Sequence, residues 1–144
     1  MRPERALIDT GPVVALFDNS DRHYRNSLDF MKTNDLQLYI TLPVITEVMF
    51  LLDFNVNAQT DFLLWIYSGA LEISEINQDD LKRISHLMKK YHELPMDFAD
   101  ASIVSTCEKL DTLYVVTIDS DFEIYRYRDR QSFKNVFRQK HLLY

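Results

Sequence analysis

Two spacings of apolar residues alternate along the chain. Short unbroken apolar runs, the length of buried strands, separate longer stretches in which apolar residues return every three or four positions. RALID (5–9) reads as a first strand ending on Asp9. Thr10, Gly11 and Pro12 then turn the chain, with Pro12 suited to the first position of a short helix through VVALF. Asp18 to Asp21 interrupt the pattern, and Asp21 is placed to cap a helix from His23 to Lys32 with Tyr24, Leu28 and Met31 on one face. QLYIT (37–41) is the second strand. A helix opened by Pro43 and ending near Asp53 turns Val44, Val48, Leu51 and Leu52 inward. After a break at Asn55 to Asn57, Gln59 to Tyr67 forms another helix, closed by Gly69. ALEISEI (70–76) alternates apolar and acidic residues, the strand period. Asn77 caps a helix carrying Leu81, Ile84, Leu87, Met88 and Tyr91. Helix 97–110 buries Ile103, Val104, Cys107 and Leu110, and LYVVT (113–117) is the most clearly buried strand. A short last strand is expected around Phe133 to Phe137.

Strands alternating with helices predict an α/β fold on a mainly parallel sheet. Two glycines and four prolines in 144 residues favour long regular elements over a loop-rich sandwich. The length suits one domain, residues 1–144, with a full core. A single cysteine, Cys107, excludes an intrachain disulfide and is expected to be buried. The opening MRPERALIDT lacks the apolar run of a signal peptide, and no window reaches the roughly 18 apolar residues of a membrane span. The expected compartment is therefore the cytoplasm.

The acidic residues change the picture most. Sheets of this kind place their sites at the carboxyl ends of the strands. Asp9 ends the first strand, Asp119 and Asp121 follow the fourth, and Asp97 and Asp100 open the helix before it. Glu47 stands inside the otherwise apolar VITEVMFLL, where a carboxylate is costly unless it is paired, hydrogen-bonded or bound to metal. Asp9, Glu47, Asp100 and Asp119 converging on one crevice would repel one another and raise each other's pKa values. Mg²⁺ or Mn²⁺, hard cations that prefer oxygen ligands, would remove that penalty, activate water and stabilise charge on a phosphodiester. Thr10 and Thr117 flank the proposed crevice with hydroxyls that can bond a carboxylate. Each acid has a plainer reading: Asp97 and Asp100 have the spacing of a helix N-cap pair, Asp119 and Asp121 suit a turn, and Glu47 can reach solvent. The four histidines lack ligand spacing and read as structural or surface residues.

The net charge of −6 is unusual for a nucleic-acid partner, but it is unevenly spread. Residues 1–121 hold ten Lys/Arg against twenty Asp/Glu, a net of −10, and residues 122–144 hold six against two, a net of +4. The basic tail reads as a solvated edge or as a phosphate-contacting rim.

Four segments in this order resemble the PIN-domain family, in particular the VapC-type ribonuclease toxins of toxin–antitoxin pairs. ALIDTGPVVALFD is similar to the opening strand with its first acid, Asp9, and TLPVITEVMFLL to the helix carrying the glutamate, Glu47. DFADASIVSTCEKL is similar to the "D-A-x-I" helix, with Asp100, and YVVTIDSDFEIYR to the "T-x-D-x-D-F" segment, with Thr117, Asp119 and Asp121. The resemblance implies a three-layer α/β/α PIN fold with a central, mainly parallel sheet of four to five strands. It implies a Mg²⁺- or Mn²⁺-dependent endoribonuclease acting on an RNA substrate, with one or two ions held by Asp9, Glu47, Asp100 and Asp119. Asp121 is a further metal ligand, directly or through water, and Thr10, Asp97 and Thr117 support the ligands. A cognate antitoxin protein and a homodimer are the implied partners, without a membrane. The alternative is a PIN-scaffold binding module with weak or no nuclease activity, using helix residues Phe62 to Tyr67 and the aromatics Tyr125, Tyr127, Phe133 and Phe137 as an interface. A haloacid-dehalogenase-type phosphatase would want its Asp119-Ser-Asp121 motif near the start of the domain, and a receiver domain would want a lysine after its last strand.

Overall fold

The computed structural model describes residues 3–137. Five strands form its centre: β1 (Arg5–Ile8), β2 (Gln37–Thr41), β3 (Glu72–Ser74), β4 (Tyr114–Val116) and β7 (Lys134–Asn135). They make a wholly parallel sheet in the order β3-β2-β1-β4-β7. Between them lie helices α1 (Thr10–Phe17), α2 (Tyr24–Thr33), α3 (Leu42–Leu51), α4 (Val56–Tyr67), α5 (Asp80–Lys90) and α6 (Phe98–Lys109). A two-stranded antiparallel ribbon, β5 (Arg126–Tyr127) with β6 (Gln131–Ser132), precedes β7.

The chain lays strands outward from β1 through β2 to β3, then returns to the other side of β1 with β4. The order therefore reverses between β1 and β4, and a crevice opens there at the carboxyl ends of the strands. Ala6, Leu7 and Ile8 of β1 are all fully buried, as in a strand covered on both faces. Helix α6 packs on β1 and β2 and is buried over most of its length, because Ala99, Ala101, Ser102 and Ser105 let it approach closely. Its buried Ser102 hydroxyl bonds the Thr41 hydroxyl at 2.8 Å and donates to the Ala99 carbonyl at 2.7 Å, so these two hydroxyls are satisfied. Cys107 is buried on the same helix, and burial pushes its thiol pKa up.

The expected α/β class, parallel sheet and strand number are all observed, and several details differ. Asp9 rather than Gly11 is the cap of α1, so Pro12 is the third helical residue and not the first. Leu51 faces solvent, since α3 ends there and Leu52 takes the inward position. β3 is an edge strand of three residues, and Ile73 stands half-exposed where alternation placed it inward. The last strand is only Lys134–Asn135, with Phe133 and Phe137 buried on either side of it. Tyr125, Tyr127, Phe133 and Phe137 all belong to the core, so the aromatic tail offers no interface; on α4, Phe62 is buried while Leu64 and Tyr67 are exposed.

Two cations of the basic tail are engaged internally. Arg126 donates to the carbonyls of Glu123, Ile124 and Tyr125, and Arg128 pairs with Asp111 and donates to the Glu108 carbonyl. His141 and the tail cations Arg138 and Lys140 lie outside the described residues. No helix among the described residues is long and apolar enough to cross a membrane.

Candidate metal centre

The strand register brings the first acid to the crevice. Ile8 pairs with Val116, and the Asp9 amide extends this ladder by donating to the Val116 carbonyl at 2.9 Å. Asp9 thus stands opposite Thr117, whose hydroxyl donates to Asp9 Oδ2 at 2.7 Å. The other carboxylate oxygen, Oδ1, accepts the Thr10 amide at 2.8 Å and caps α1. The Thr117 hydroxyl also accepts the Asp119 amide at 2.9 Å, so one buried side chain sets the position of two acids.

Asp119 caps a single 3-10 turn, Ser120–Glu123, with its Oδ1 accepting the Asp121 amide at 2.9 Å. Asp97 and Asp100 form a reciprocal capping box at the start of α6: the Asp100 amide donates to Asp97 Oδ1 at 2.8 Å, and the Asp97 amide to Asp100 Oδ2 at 3.4 Å. The result is one group, Asp9, Asp100 and Asp119, whose ligand oxygens lie within 4.8 Å of one another. They line an open cavity of about 460 Å³ together with Thr10, Gly11, Glu47 and Asp97.

Electrostatics reports the crowding. Burial pushes the Asp9 carboxyl up to about 6; the Thr117 and Thr10 hydrogen bonds oppose the rise, and the charges of Asp119 and Glu47 add to it. Asp100 is raised to about 8 by burial and then by the negative charges of Asp97, Asp9 and Asp119. Asp121 is also raised, by desolvation and the charge of Asp119.

The residues fit a hard divalent cation. Three carboxylates within reach of one ion offer oxygen ligands only, and the penalty they carry is one that a cation removes. Thr10 lines the same cavity, and its buried hydroxyl has no hydrogen-bond partner among the described residues.

The structure does not bring all the expected residues together equally. Glu47, on α3, shares the cavity and raises the Asp9 pKa, but its oxygens stand outside the 4.8 Å group. Asp97 lines the cavity while acting as the α6 cap, and Thr117 lies beneath Asp9. Asp121 is outside the cavity lining, and its amide braces Asp119.

Three residues were not visible from the sequence. The fully buried Tyr125 donates its hydroxyl to Asp100 Oδ2 at 3.3 Å across 25 positions of chain, and burial followed by the Asp100 charge raises its pKa. Asn135 on β7 accepts the Thr117 amide at 3.3 Å and donates to the Thr117 carbonyl at 2.9 Å. His23, half-buried, lines the acidic cavity. No spacing rule signals any of these, and Tyr125 and Asn135 reach the site by tertiary contacts.

A larger apolar groove of about 1000 Å³ adjoins the cavity, lined by Leu42, Phe50, Ile73, Leu81 and Phe98 and sharing Glu47 and Asp97 with it.

Comparison with known proteins agrees with this geometry. The family model described as "PIN domain" matches residues 6–127. Ribonuclease VapC26 of Mycobacterium tuberculosis is 22% identical over 115 residues, covering 78% of this chain and 85% of that protein. The crystal structure of Mycobacterium tuberculosis VapC20, described as a sarcin-ricin loop cleaving toxin, shares the fold with a TM-score of 0.76 at 16% identity, over 83% of this chain and 93% of that one. A toxin-antitoxin complex from Klebsiella pneumoniae contains a chain that is 26% identical, with a TM-score of 0.62 over 81% of this chain and 89% of that one.

Proposed function

The chain belongs to the PIN-domain family, and from that premise we propose that it is a divalent-metal-dependent endoribonuclease, the toxin of a toxin–antitoxin pair. The observation that carries the reading is the convergence of Asp9, Asp100 and Asp119 at the point where the strand order reverses, with Glu47 on the same cavity wall. The ribonuclease name of the 22% identical relative and the toxin-antitoxin context of the 26% identical one support it.

Asp9, Asp100 and Asp119 would hold Mg²⁺ or Mn²⁺, with Glu47 and Asp121 contributing directly or through water. When bound, one or two such ions supply Lewis-acid activation of water and neutralise charge developing on a phosphodiester. The chain's own groups prepare that site. Thr117 fixes Asp9, Tyr125 fixes Asp100, and the Asp121 amide fixes Asp119, so each carboxylate keeps one orientation and directs its remaining lone pairs into the cavity. Asp97 holds the first turn of α6, and with it the Asp100 backbone.

A cognate antitoxin, a homodimer, a cytoplasmic location and a single domain spanning residues 1–144 complete the proposal. The alternative, a binding module, draws on the adjoining apolar groove and on the exposed Phe50, Phe54, Leu64 and Tyr67. The acids oppose it as a sole role, since a scaffold has no need of a partly buried, mutually repelling triad.

The test is cleavage of a mixed cellular RNA pool by purified protein with Mg²⁺, Mn²⁺ or EDTA, beside Asp100→Asn and Asp9→Asn. Fragments are expected only with metal and only from the unsubstituted protein, with both variants folded by circular dichroism. Full activity in either variant removes that residue from the metal site. A folded protein that cuts no RNA with either metal leaves the binding module as the reading.

A further inference from the structure

An RNA strand entering this cavity meets carboxylates on nearly every side. A bound ion neutralises the scissile phosphate, but the neighbouring phosphates need a cation that the chain itself supplies. Of the tail cations, Arg126 and Arg128 are committed to carbonyls and to Asp111, and the exposed Arg130 and Lys134 do not line the acidic cavity.

The turn between α1 and α2 supplies the alternative. It forms a second open concavity of about 570 Å³, lined by Asn19, Ser20, Arg22, Tyr24 and Arg25, which shares Asp21 with the acidic cavity. His23 stands on the acidic side of that shared wall, and Arg22 Nε donates to His23 Nε2 at 3.1 Å, so the two residues bridge the concavities. Among the described residues neither Arg22 nor Arg25 takes part in an ion pair, whereas Arg83, Lys90, Lys109 and Arg128 all do. The turn's own aspartates are held by its backbone. Asp18 accepts the Ser20 amide at 3.0 Å and also its hydroxyl, and Asp21 accepts the His23 amide at 2.8 Å. These bonds fix the shape of the turn and leave both guanidinium groups directed at solvent.

We infer that the turn between α1 and α2 is the RNA-backbone subsite of this enzyme, with Arg22 and Arg25 contacting the phosphate adjacent to the one cut and His23 joining that contact to the acidic centre. The inference rests on the nuclease reading above and gives its substrate an orientation. Guanidinium groups suit this role because their forked donors match phosphate oxygens. Tyr24, lining the same concavity, offers a face on which a base can stack. Contact through the backbone positions a strand without reading its sequence.

The experiment measures binding of a fluorescent random-sequence RNA oligonucleotide by anisotropy, across a KCl series, with Ca²⁺ as the divalent ion. The proteins are the unsubstituted chain, Arg22→Ala/Arg25→Ala, and Lys82→Ala/Lys89→Ala, which removes the same charge from the exposed face of α5. The arginine variant is expected to bind several-fold more weakly. Its slope of log K against log salt should be shallower by about 0.7, for the one single-strand phosphate that the arginine pair no longer neutralises. The lysine variant should follow the unsubstituted protein, and Mn²⁺ binding by calorimetry should be the same in all three. Equal binding and slopes in the arginine and lysine variants overturn the inference while leaving RNA cleavage by the unsubstituted chain, and so the nuclease reading, intact. An unsubstituted chain that neither binds nor cuts RNA overturns both.

Discussion

Each carboxylate of the centre has two roles, which explains how three can converge before a cation arrives. Asp9 caps α1, Asp119 caps the 3-10 turn, and Asp100 is half of the α6 capping box. A helix N-terminus favours negative charge, and the backbone amides there offset part of the desolvation. The plain reading of Asp97, Asp100 and Asp119 as caps is observed, and it is compatible with the site proposed for them. Sequence spacing could name the acids because caps and strand ends follow local rules. It could not find Tyr125, whose hydroxyl meets Asp100 only through the packing of its ring edge-on to Tyr91 and Phe122, with centroids at 5.1 and 5.0 Å. That contact predicts a selective effect. Tyr125→Phe keeps the ring packing and removes one donor to Asp100, so Mn²⁺ affinity measured by calorimetry should fall by about tenfold with little change in melting temperature. Unchanged affinity would reduce Tyr125 to a packing residue.

At the scale of elements, what the sequence made legible and what it hid divide along one physical line. β1, β2 and β4 were readable because each carries an unbroken apolar run, and α6 because it is buried over most of its length with small and apolar residues. The β5–β6 ribbon was not, because tertiary ionic contacts hold it. Arg83 and Lys90 of α5 reach Asp129 in its turn, Glu108 of α6 accepts the Arg128 amide, and Arg128 and Asp129 adopt positive φ. β7 was misjudged in length because a side chain takes over where its main-chain ladder ends. The Asn135 amide replaces that ladder by bonding both the amide and the carbonyl of Thr117. Thr117 in turn orients Asp9 and Asp119, so this edge strand braces the metal centre from behind. Asn135→Ala removes the side-chain partner of both backbone groups of Thr117, a buried residue. A loss of about 2 kcal/mol of stability in urea is expected, together with lower cleavage activity. A variant as stable as the unsubstituted protein would show that water replaces the amide without cost.

For the whole molecule, the same carboxylates make stability depend on pH in an unusual direction. Asp9 and Asp100 have folded-state pKa values of about 6 and about 8, against 3.8 as the ordinary value. Between these limits the folded state holds more protons than the unfolded state, so unfolding free energy falls as pH rises. The contribution is fully present below about pH 4 and is lost as pH climbs through the folded-state values of the pair. For Asp9 alone the window is worth about 3 kcal/mol, at about 1.4 kcal/mol per pH unit. Metal-free protein should therefore melt at a lower temperature at about pH 8 than at about pH 5. A divalent ion reverses the balance, because it binds the ionised carboxylates and competes with protons for them. At one hundred times its dissociation constant it adds about 2.7 kcal/mol, and that gain should be largest at high pH and vanish as the acids protonate. Thermal melts over this range with EDTA, Mg²⁺ or Mn²⁺ check both halves of the argument. An EDTA curve that is flat from about pH 5 to about pH 8 would mean that the acids are not crowded as their geometry requires. A metal-induced shift that does not grow with pH would place the ion somewhere other than Asp9, Asp100 and Asp119.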